Sequence, residues 1–407
     1  MLLLKKNKDL EEAYVVCLKI KLDNLEKTFR EIYAPAPKDK KSSKTTDAKE
    51  AVKEKASLLV NASRVGRLLR EIFKNTGIKE LDDINDVTNK TFGSVKDKNI
   101  LYLEKFVCLP YEDIEKLRAF LKNRKKADPV YWEKEVAFLK KLMADYLYDA
   151  LVKGVNLQEE GSWKSCTISY TKIKKYLNSK GKLKINNLIL GMQGVKGCPY
   201  CNGQYIDNRD DTVVAQLDHL FAKALHPHLA LCLYNLVPSC SNCNKIKLDS
   251  PKKYQSPYDE KYKLDSFKFK LDIDEDYISS NSDFELQFAI DGIPYSKSRL
   301  EKWVNSRRKN PPIAQNLVGM KIAAFYTARY DKIEKIIENN KWYIKEWKKT
   351  IEGIEGEVSA IQIEEQIFGK IVEDDDLVNQ PFSKLERDIM EDLKIIERKS
   401  GGGYVFR

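Results

Sequence analysis

No apolar run in the 407-residue chain approaches the roughly 20 residues that a membrane-spanning helix needs. Met1-Leu2-Leu3-Leu4 is broken at once by Lys5-Lys6, which is too short an apolar start for a signal peptide. These absences predict a soluble, cytoplasmic protein with no membrane partner. A disulfide framework is lacking too. Of eight cysteines, Cys17, Cys108, Cys166 and Cys232 are scattered, which fits a reducing compartment. Histidine is nearly absent. The chain has three, and His219, His226 and His228 all fall in the one stretch that also holds the other four cysteines.

That stretch runs from Cys198 to Lys247. It contains two Cys-x-x-Cys pairs, Cys198/Cys201 and Cys240/Cys243. Such a turn aims two thiolates at one point, and a tetrahedral structural Zn²⁺ needs two such turns. Pro199 and Gly203 around the first pair, and Asn242 and Asn244 around the second, are turn residues that suit zinc knuckles. Four reduced core cysteines are the plainer alternative. Between the knuckles, Val213 to His219 reads as a short strand and Asn235 to Pro238 as a second. Ser239 to Lys247 reads as the first turns of a helix. The order strand, loop, strand, helix places Asp218-His219 at the end of the first strand, Asn235 at the start of the second and Asn244 near the start of the helix.

These residues resemble the HNH endonuclease family, whose pattern is Asp-His, then Asn-Leu, then Cys-x-x-Cys-Asn-x-x-Lys. Here the pattern stands as Asp218-His219, Asn235-Leu236 and Cys240-Ser241-Asn242-Cys243-Asn244-Lys245-Ile246-Lys247. The resemblance implies that His219 is the general base and that Asp218 and Asn244 hold a catalytic Mg²⁺ or Mn²⁺. It implies that Asn235 fixes the loop and orients His219. Asn244 stands where the family's eponymous final His would be. The residue types suit phosphodiester hydrolysis, because an imidazole can deprotonate water near neutral pH. A carboxylate and an amide oxygen are hard ligands for Mg²⁺. His226 and His228 lie in the connecting loop, outside the pattern. They are expected as loop or phosphate-contacting residues. The run Leu229 to Leu233 after them suggests a short packed helix.

Lys and Arg number 72 against 61 Asp and Glu, a net +11 that favours a polyanionic partner. With the motif, DNA is the expected substrate, ahead of RNA. Lys172, Lys175, Lys247, Arg299, Arg307 and Arg308 are the expected phosphate contacts, with a solvated helix face as the alternative for the basic runs.

The predicted fold is α+β and mostly helical, with a small zinc-stabilised ββα core inserted between helical regions. Residues 1–160 form a helical region with a helix from Leu10 to Tyr33. A Lys- and Pro-rich loop at 34–57 is expected to be mobile. A second helix is expected from Leu58 to Lys74. A third starts at Asp128-Pro129 and runs to Lys153, with Tyr131, Val136, Leu139, Met143, Leu147 and Leu151 buried. Residues 161–260 form the zinc-clipped core, within which a basic helix from Tyr170 to Ser179 leads into the first knuckle. Residues 261–300 contribute short strands, Phe267 to Ile273 and Phe284 to Ile290. Residues 301–407 are helical, with one long helix from Met320 to Trp347 and a frayed Gly401-Gly402-Gly403 tail. Asn235 to Cys240, together with Pro381 to Asp388, resembles standalone HNH nucleases of bacterial anti-phage systems, including Septu-type ones. That resemblance implies a defence effector under a regulatory partner such as an ATPase. A zinc-clipped nucleic-acid or protein binding module without catalysis is the alternative.

Overall fold

The computed structural model describes residues 1–33, 62–86, 94–130, 133, 143–144, 147–156, 168–206, 215–274, 283–306, 309–344, 360–400 and 402–406. Helices α1 (Lys8–Tyr33), α2 (Ala62–Ile72), α3 (Lys79–Asp86), α4 (Val95–Val107), α5 (Tyr111–Ala127) and the short α6 (Tyr148–Val152) come first. Strands β1 (Val155–Asn156) and β2 (Lys182–Leu183) flank α7 (Tyr170–Lys174), and α8 (Ile185–Gln193) leads into the cysteine-rich stretch. There β3 (Gln216–His219), β4 (Leu236–Ser239) and α9 (Ser241–Lys247) follow in order. Next are the hairpin β5 (Phe267–Asp272) and β6 (Glu285–Ile290), then α10 (Lys297–Ser306), α11 (Pro312–Gly319), α12 (Ile322–Thr327), α13 (Tyr330–Trp342), α14 (Ala360–Phe368) and α15 (Ser383–Asp392). A hairpin of β7 (Ile396–Arg398) and β8 (Tyr404–Phe406) follows.

The fold is mixed α+β. Among the described residues the strands make four separate two-stranded antiparallel sheets, too small to bury anything without the helices around them. One large buried cluster covers the first three sheets, and a small one of Met390, Ile395, Ile396 and Tyr404 covers β7–β8. The large cluster runs from Met1 to Ile389 and draws on the N-terminal helices, the cysteine-rich stretch, the β5–β6 hairpin and the C-terminal helices. No helix among the described residues is long and apolar enough to cross a membrane.

Several elements differ from the sequence expectation. Where one long helix is expected at 320–347, the described residues form two, α12 and α13, and 345–347 lie outside them. Thr327 Oγ1 donates to the Ala323 and Ala324 carbonyls at 3.1 and 3.2 Å, and Arg329 Nη1 donates to the Phe325 carbonyl at 2.8 Å. Side chains thus take the carbonyls that a continuing helix would use. The basic helix at 170–179 is only α7, because Asn178 Oδ1 accepts from the Lys180 and Lys182 amides and turns the chain into β2. Gly402 and Gly403, at φ +91° and +76°, belong to the turn joining β7 to β8 instead of a frayed tail. The second expected helix is present as α2 over Ala62–Ile72, and residues 58–61 lie outside the described residues. Of the predicted stripe at 131–151, Met143, Leu147 and Leu151 are buried. Tyr131, Val136 and Leu139 lie outside the described residues, as does the loop at 34–57. Helices α3, α4 and α5 fall in the helical region expected over 1–160, although no individual helices are expected at those positions, and α8 has no counterpart in the sequence expectation.

The last turns lock onto the cysteine-rich stretch. Asn202, in the left-handed region at φ +49° and 1% exposed, donates through Nδ2 to the Leu377 and Gln380 carbonyls at 2.9 and 3.0 Å. Its Oδ1 accepts from the Lys384 amide at 3.0 Å. Gly197 sits so close to this segment that a Cβ would meet the Val378 carbonyl oxygen at 2.9 Å. The start of α15 is thereby fixed against the first knuckle. Farther along, Asp388 and Asp392 accept from the Phe269 and Leu271 amides at 3.0 and 2.8 Å, which ties β5 to the same helix.

Candidate metal centre and active site

The four cysteines converge. The Sγ atoms of Cys198, Cys201, Cys240 and Cys243 all lie within 4.8 Å of one another and are buried, with Cys201 and Cys240 at 4.0 Å. A tetrahedral ion with Zn–S bonds of about 2.3 Å has sulfur–sulfur edges of about 3.8 Å. The set fits structural zinc. Backbone amides already point at two of the sulfurs, Gly203 N to Cys201 at 3.4 Å and Cys243 N to Cys240 at 3.5 Å. Hydrogen bonds with the neighbouring thiols hold Cys240 well below the ordinary thiol range, whereas burial pushes Cys198 up. A dry site of this kind releases all four protons only to a cation.

The knuckles clip a ββα unit. Strands β3 and β4 pair antiparallel with Asp218 opposite Val237 and His219 opposite Leu236. Pro238 is accommodated because a strand in a two-stranded sheet has a free edge. The loop between them, 220–235, is built from the short 3-10 turns Pro227–Leu229 and Leu233–Asn235, not from the single short helix expected there. Asn235, fully buried, holds this loop shut. Its Oδ1 accepts from the Phe221 amide at 2.8 Å, and its Nδ2 donates to the Phe221 and Leu229 carbonyls at 3.2 and 3.0 Å. Asn235 is therefore a positioning residue.

The next carbonyl in that loop, Ala230, lies 3.1 Å from His219 Nε2. A carbonyl can only accept, so Nε2 carries the hydrogen and Nδ1 keeps the lone pair. Burial pushes His219 down to about 3, with the cations Lys223 and Lys247 adding to the effect, so the ring is neutral at pH 7. Tyr148 of α6 packs edge-on against it at 4.5 Å.

Asp218 lies on the opposite side of β3 from His219. Burial pushes its carboxyl up, opposed by Lys247 and by the Tyr200 hydroxyl. Tyr200 donates to Oδ2 at 2.7 Å, and Lys247 Nζ donates to Oδ1 at 3.0 Å. Asn244 lies one helical turn before Lys247 and donates through Nδ2 to Gln216 Oε1 at 2.7 Å. Asp218 and Asn244 thus share the seam between β3 and α9, with no hydrogen bond joining them among the described residues. Asn244 also lines an open cleft of about 460 Å³ with Tyr148, Lys153, Asn186, Gln216 and Leu217.

The expected phosphate contacts divide. Lys247 is corrected. Its side chain is fully buried and committed to Asp218 and to the His219 carbonyl, so it cannot meet a phosphate from solvent in this arrangement. Lys172 is half exposed and paired with Asp9, Lys175 stands over the Tyr176 ring, and Arg299 stands over Tyr295. Arg307 and Arg308 lie outside the described residues. His226 packs against Phe221, and His228 is fully buried. Sequence reasoning missed Tyr200, Tyr148 and Gln216. Tyr200 sits inside the first Cys-x-x-Cys turn and is fully buried, but Asn242 at the same place in the second turn is exposed, so the spacing alone gives no signal; Tyr148 carries none either. No family model, curated protein or solved structure matches the chain.

Proposed function

We propose that this chain is an HNH-type, metal-dependent endonuclease that hydrolyses phosphodiester bonds, with DNA as its substrate. The observation that supports it best is a ββα unit clipped by four convergent thiols, which brings Asp218, His219 and Asn244 onto adjoining elements and leaves His219 Nδ1 as a proton acceptor. Asp218 and Asn244 offer hard oxygen donors for Mg²⁺ or Mn²⁺, which when bound would neutralise charge on the phosphate and the leaving oxygen. His219 Nδ1 takes the proton of the attacking water. The Ala230 carbonyl steadies the imidazolium that forms, and an adjacent anionic phosphate raises the low proton affinity that burial imposes. Asn235 keeps that carbonyl in place. In-line attack leaves 5′-phosphate and 3′-hydroxyl ends. A role in anti-phage defence under a regulatory partner such as an ATPase belongs to the same proposal, and it rests on the sequence resemblance alone.

A second reading, a zinc-clipped binding module without catalysis, draws support from the depth of His219 and from the two donors already on the Asp218 carboxylate. Incubation with plasmid DNA and with RNA, with Mg²⁺ or with EDTA, separates the two. The endonuclease reading expects Mg²⁺-dependent cleavage that falls about 10²- to 10⁴-fold in His219→Ala. Cleavage by His219→Ala at the wild-type rate, or none by any preparation, would count against it.

A further inference from the structure

Asp218 is 3% exposed, and a carboxylate at that depth requires a countercharge. Tyr200 supplies a neutral donor. The cation is Lys247, whose side chain is 0% exposed and whose Nζ donates to Asp218 Oδ1 at 3.0 Å and to the His219 backbone carbonyl at 2.6 Å. We propose that Lys247 is the resident counter-ion of Asp218, seated where a divalent ion would bind, so that the Lys247–Asp218 pair and a metal on Asp218 exclude each other. This rests on the reading of Asp218 as a ligand of the catalytic cation.

The electrostatics argue for exclusion. An ammonium and a divalent ion on one buried carboxylate would stand a few ångströms apart with little water to screen them, and like charges that close repel strongly. Lys247 also has somewhere to go. When Nζ leaves Asp218 it keeps the His219 carbonyl, and the face of the Tyr254 ring lies 5.9 Å away, a second seat for a cation. Asn244 and Lys247, three residues apart, share one face of α9. The same helix face therefore presents an amide ligand for the metal and the ammonium that competes with it. In the metal-free protein Lys247 holds Asp218 and the backbone of His219 in register.

Calorimetric titration of Mn²⁺ into the zinc-loaded full chain tests this, with wild type, Lys247→Met and Asp218→Asn side by side. Lys247→Met, which keeps the length of the side chain and loses its charge, is expected to bind Mn²⁺ about tenfold tighter or better. Asp218→Asn is expected to abolish binding. Equal or weaker Mn²⁺ binding by Lys247→Met, with Asp218→Asn still silent, overturns the competition and leaves the metal reading intact. Mn²⁺ binding that ignores Asp218→Asn, or is missing from every variant, overturns the metal reading and this proposal with it. Thermal melts guard against a fold defect. Lys247→Met without Mn²⁺ should melt below wild type, and the Asp218→Asn/Lys247→Met double variant should regain part of the loss. A double variant no more stable than Lys247→Met refutes the counter-ion role.

Discussion

Replacing Asn235 with alanine tests whether the loop that orients His219 is held by one side chain. The substitution removes three hydrogen bonds in a fully buried place. The Leu229 carbonyl keeps a partner, since it also accepts from the Cys232 amide at 3.1 Å. The Phe221 amide and carbonyl lose theirs. A buried polar group left unpaired costs about 1–3 kcal/mol, so two of them give a loss of about 2–6 kcal/mol. That is a large share of the roughly 5–15 kcal/mol that holds a typical domain folded. Urea denaturation of the zinc-loaded protein at pH 7, read by tyrosine and tryptophan fluorescence, should show the midpoint falling accordingly. Asn235→Asp should not rescue it, because it retains an acceptor for the Phe221 amide, loses both donations and buries a charge. In the fraction that stays folded, cleavage should drop with zinc retained, since Ala230 no longer holds Nε2 in place. A stability loss below about 1 kcal/mol in Asn235→Ala would refute the assignment, because satisfied buried donors cannot be removed so cheaply.

Zinc should copurify at about one ion per chain, and Cys240→Ser or a strong chelator should unfold the cysteine-rich stretch, as elemental analysis and circular dichroism would register. Acid should weaken the fold: burial depresses His219 to about 3 and His228 well below its usual value, so both are neutral when folded and charged when unfolded below about pH 6.5. The stability they contribute is complete above that value and falls with pH down towards the folded values, by about 2 kcal/mol per ring at pH 5. Urea midpoints that do not change between pH 7 and 5 would contradict this. If Lys172, Lys175 and Arg299 contact phosphates, neutralising all three should lower the logarithmic salt slope of DNA binding by about three units, measured by fluorescence anisotropy. An unchanged slope would leave them as plain surface.

What could be read from the sequence was local, and what could not was long-range. The knuckles follow from spacing because a Cys-x-x-Cys turn fixes its own geometry. Strands β3 and β4 and the β5–β6 hairpin follow from alternation and propensity over a few residues, whereas the stretch that forms α1 shows no clean period. The HNH resemblance, not local pattern, implies that Asn235 fixes the loop, and its three side-chain hydrogen bonds are with that loop. Lys247 was misplaced for the converse reason. A lysine in a basic run looks solvated, and nothing nearby in sequence tells that Asp218, 29 residues earlier, would draw it inside. The break between α12 and α13 escaped notice because apolar periodicity continues through it, while Thr327 and Arg329 end the helix through side-chain hydrogen bonds that periodicity does not report. Helix α8 is nine residues long and apolar over much of its length, too short a run for its period to stand out.

The N-terminal helices carry no chemistry of their own in the sequence, yet the contacts around the loop give them a part in the site. Tyr14 of α1 donates to the Leu231 carbonyl at 2.9 Å, one residue from Ala230. Tyr234, beside Asn235, donates to Glu11 of α1 at 2.5 Å, and Cys232 reaches the Phe106 carbonyl of α4 at 3.6 Å. The loop that holds His219 in its tautomer is thus pinned from inside by Asn235 and from outside by α1 and α4, while Tyr148 of α6 packs edge-on against the ring. A ββα unit of this size has too little interior to fix a sixteen-residue connection (220–235) by itself. The four-cysteine cluster draws the two knuckles together, and the helical half secures the loop. Tyr14→Phe, which removes the hydroxyl and keeps the ring, should therefore reduce cleavage through His219 while leaving zinc content unchanged. Unaltered cleavage by a Tyr14→Phe protein of measurably lower stability would show that α1 supports the fold and not the geometry of the base.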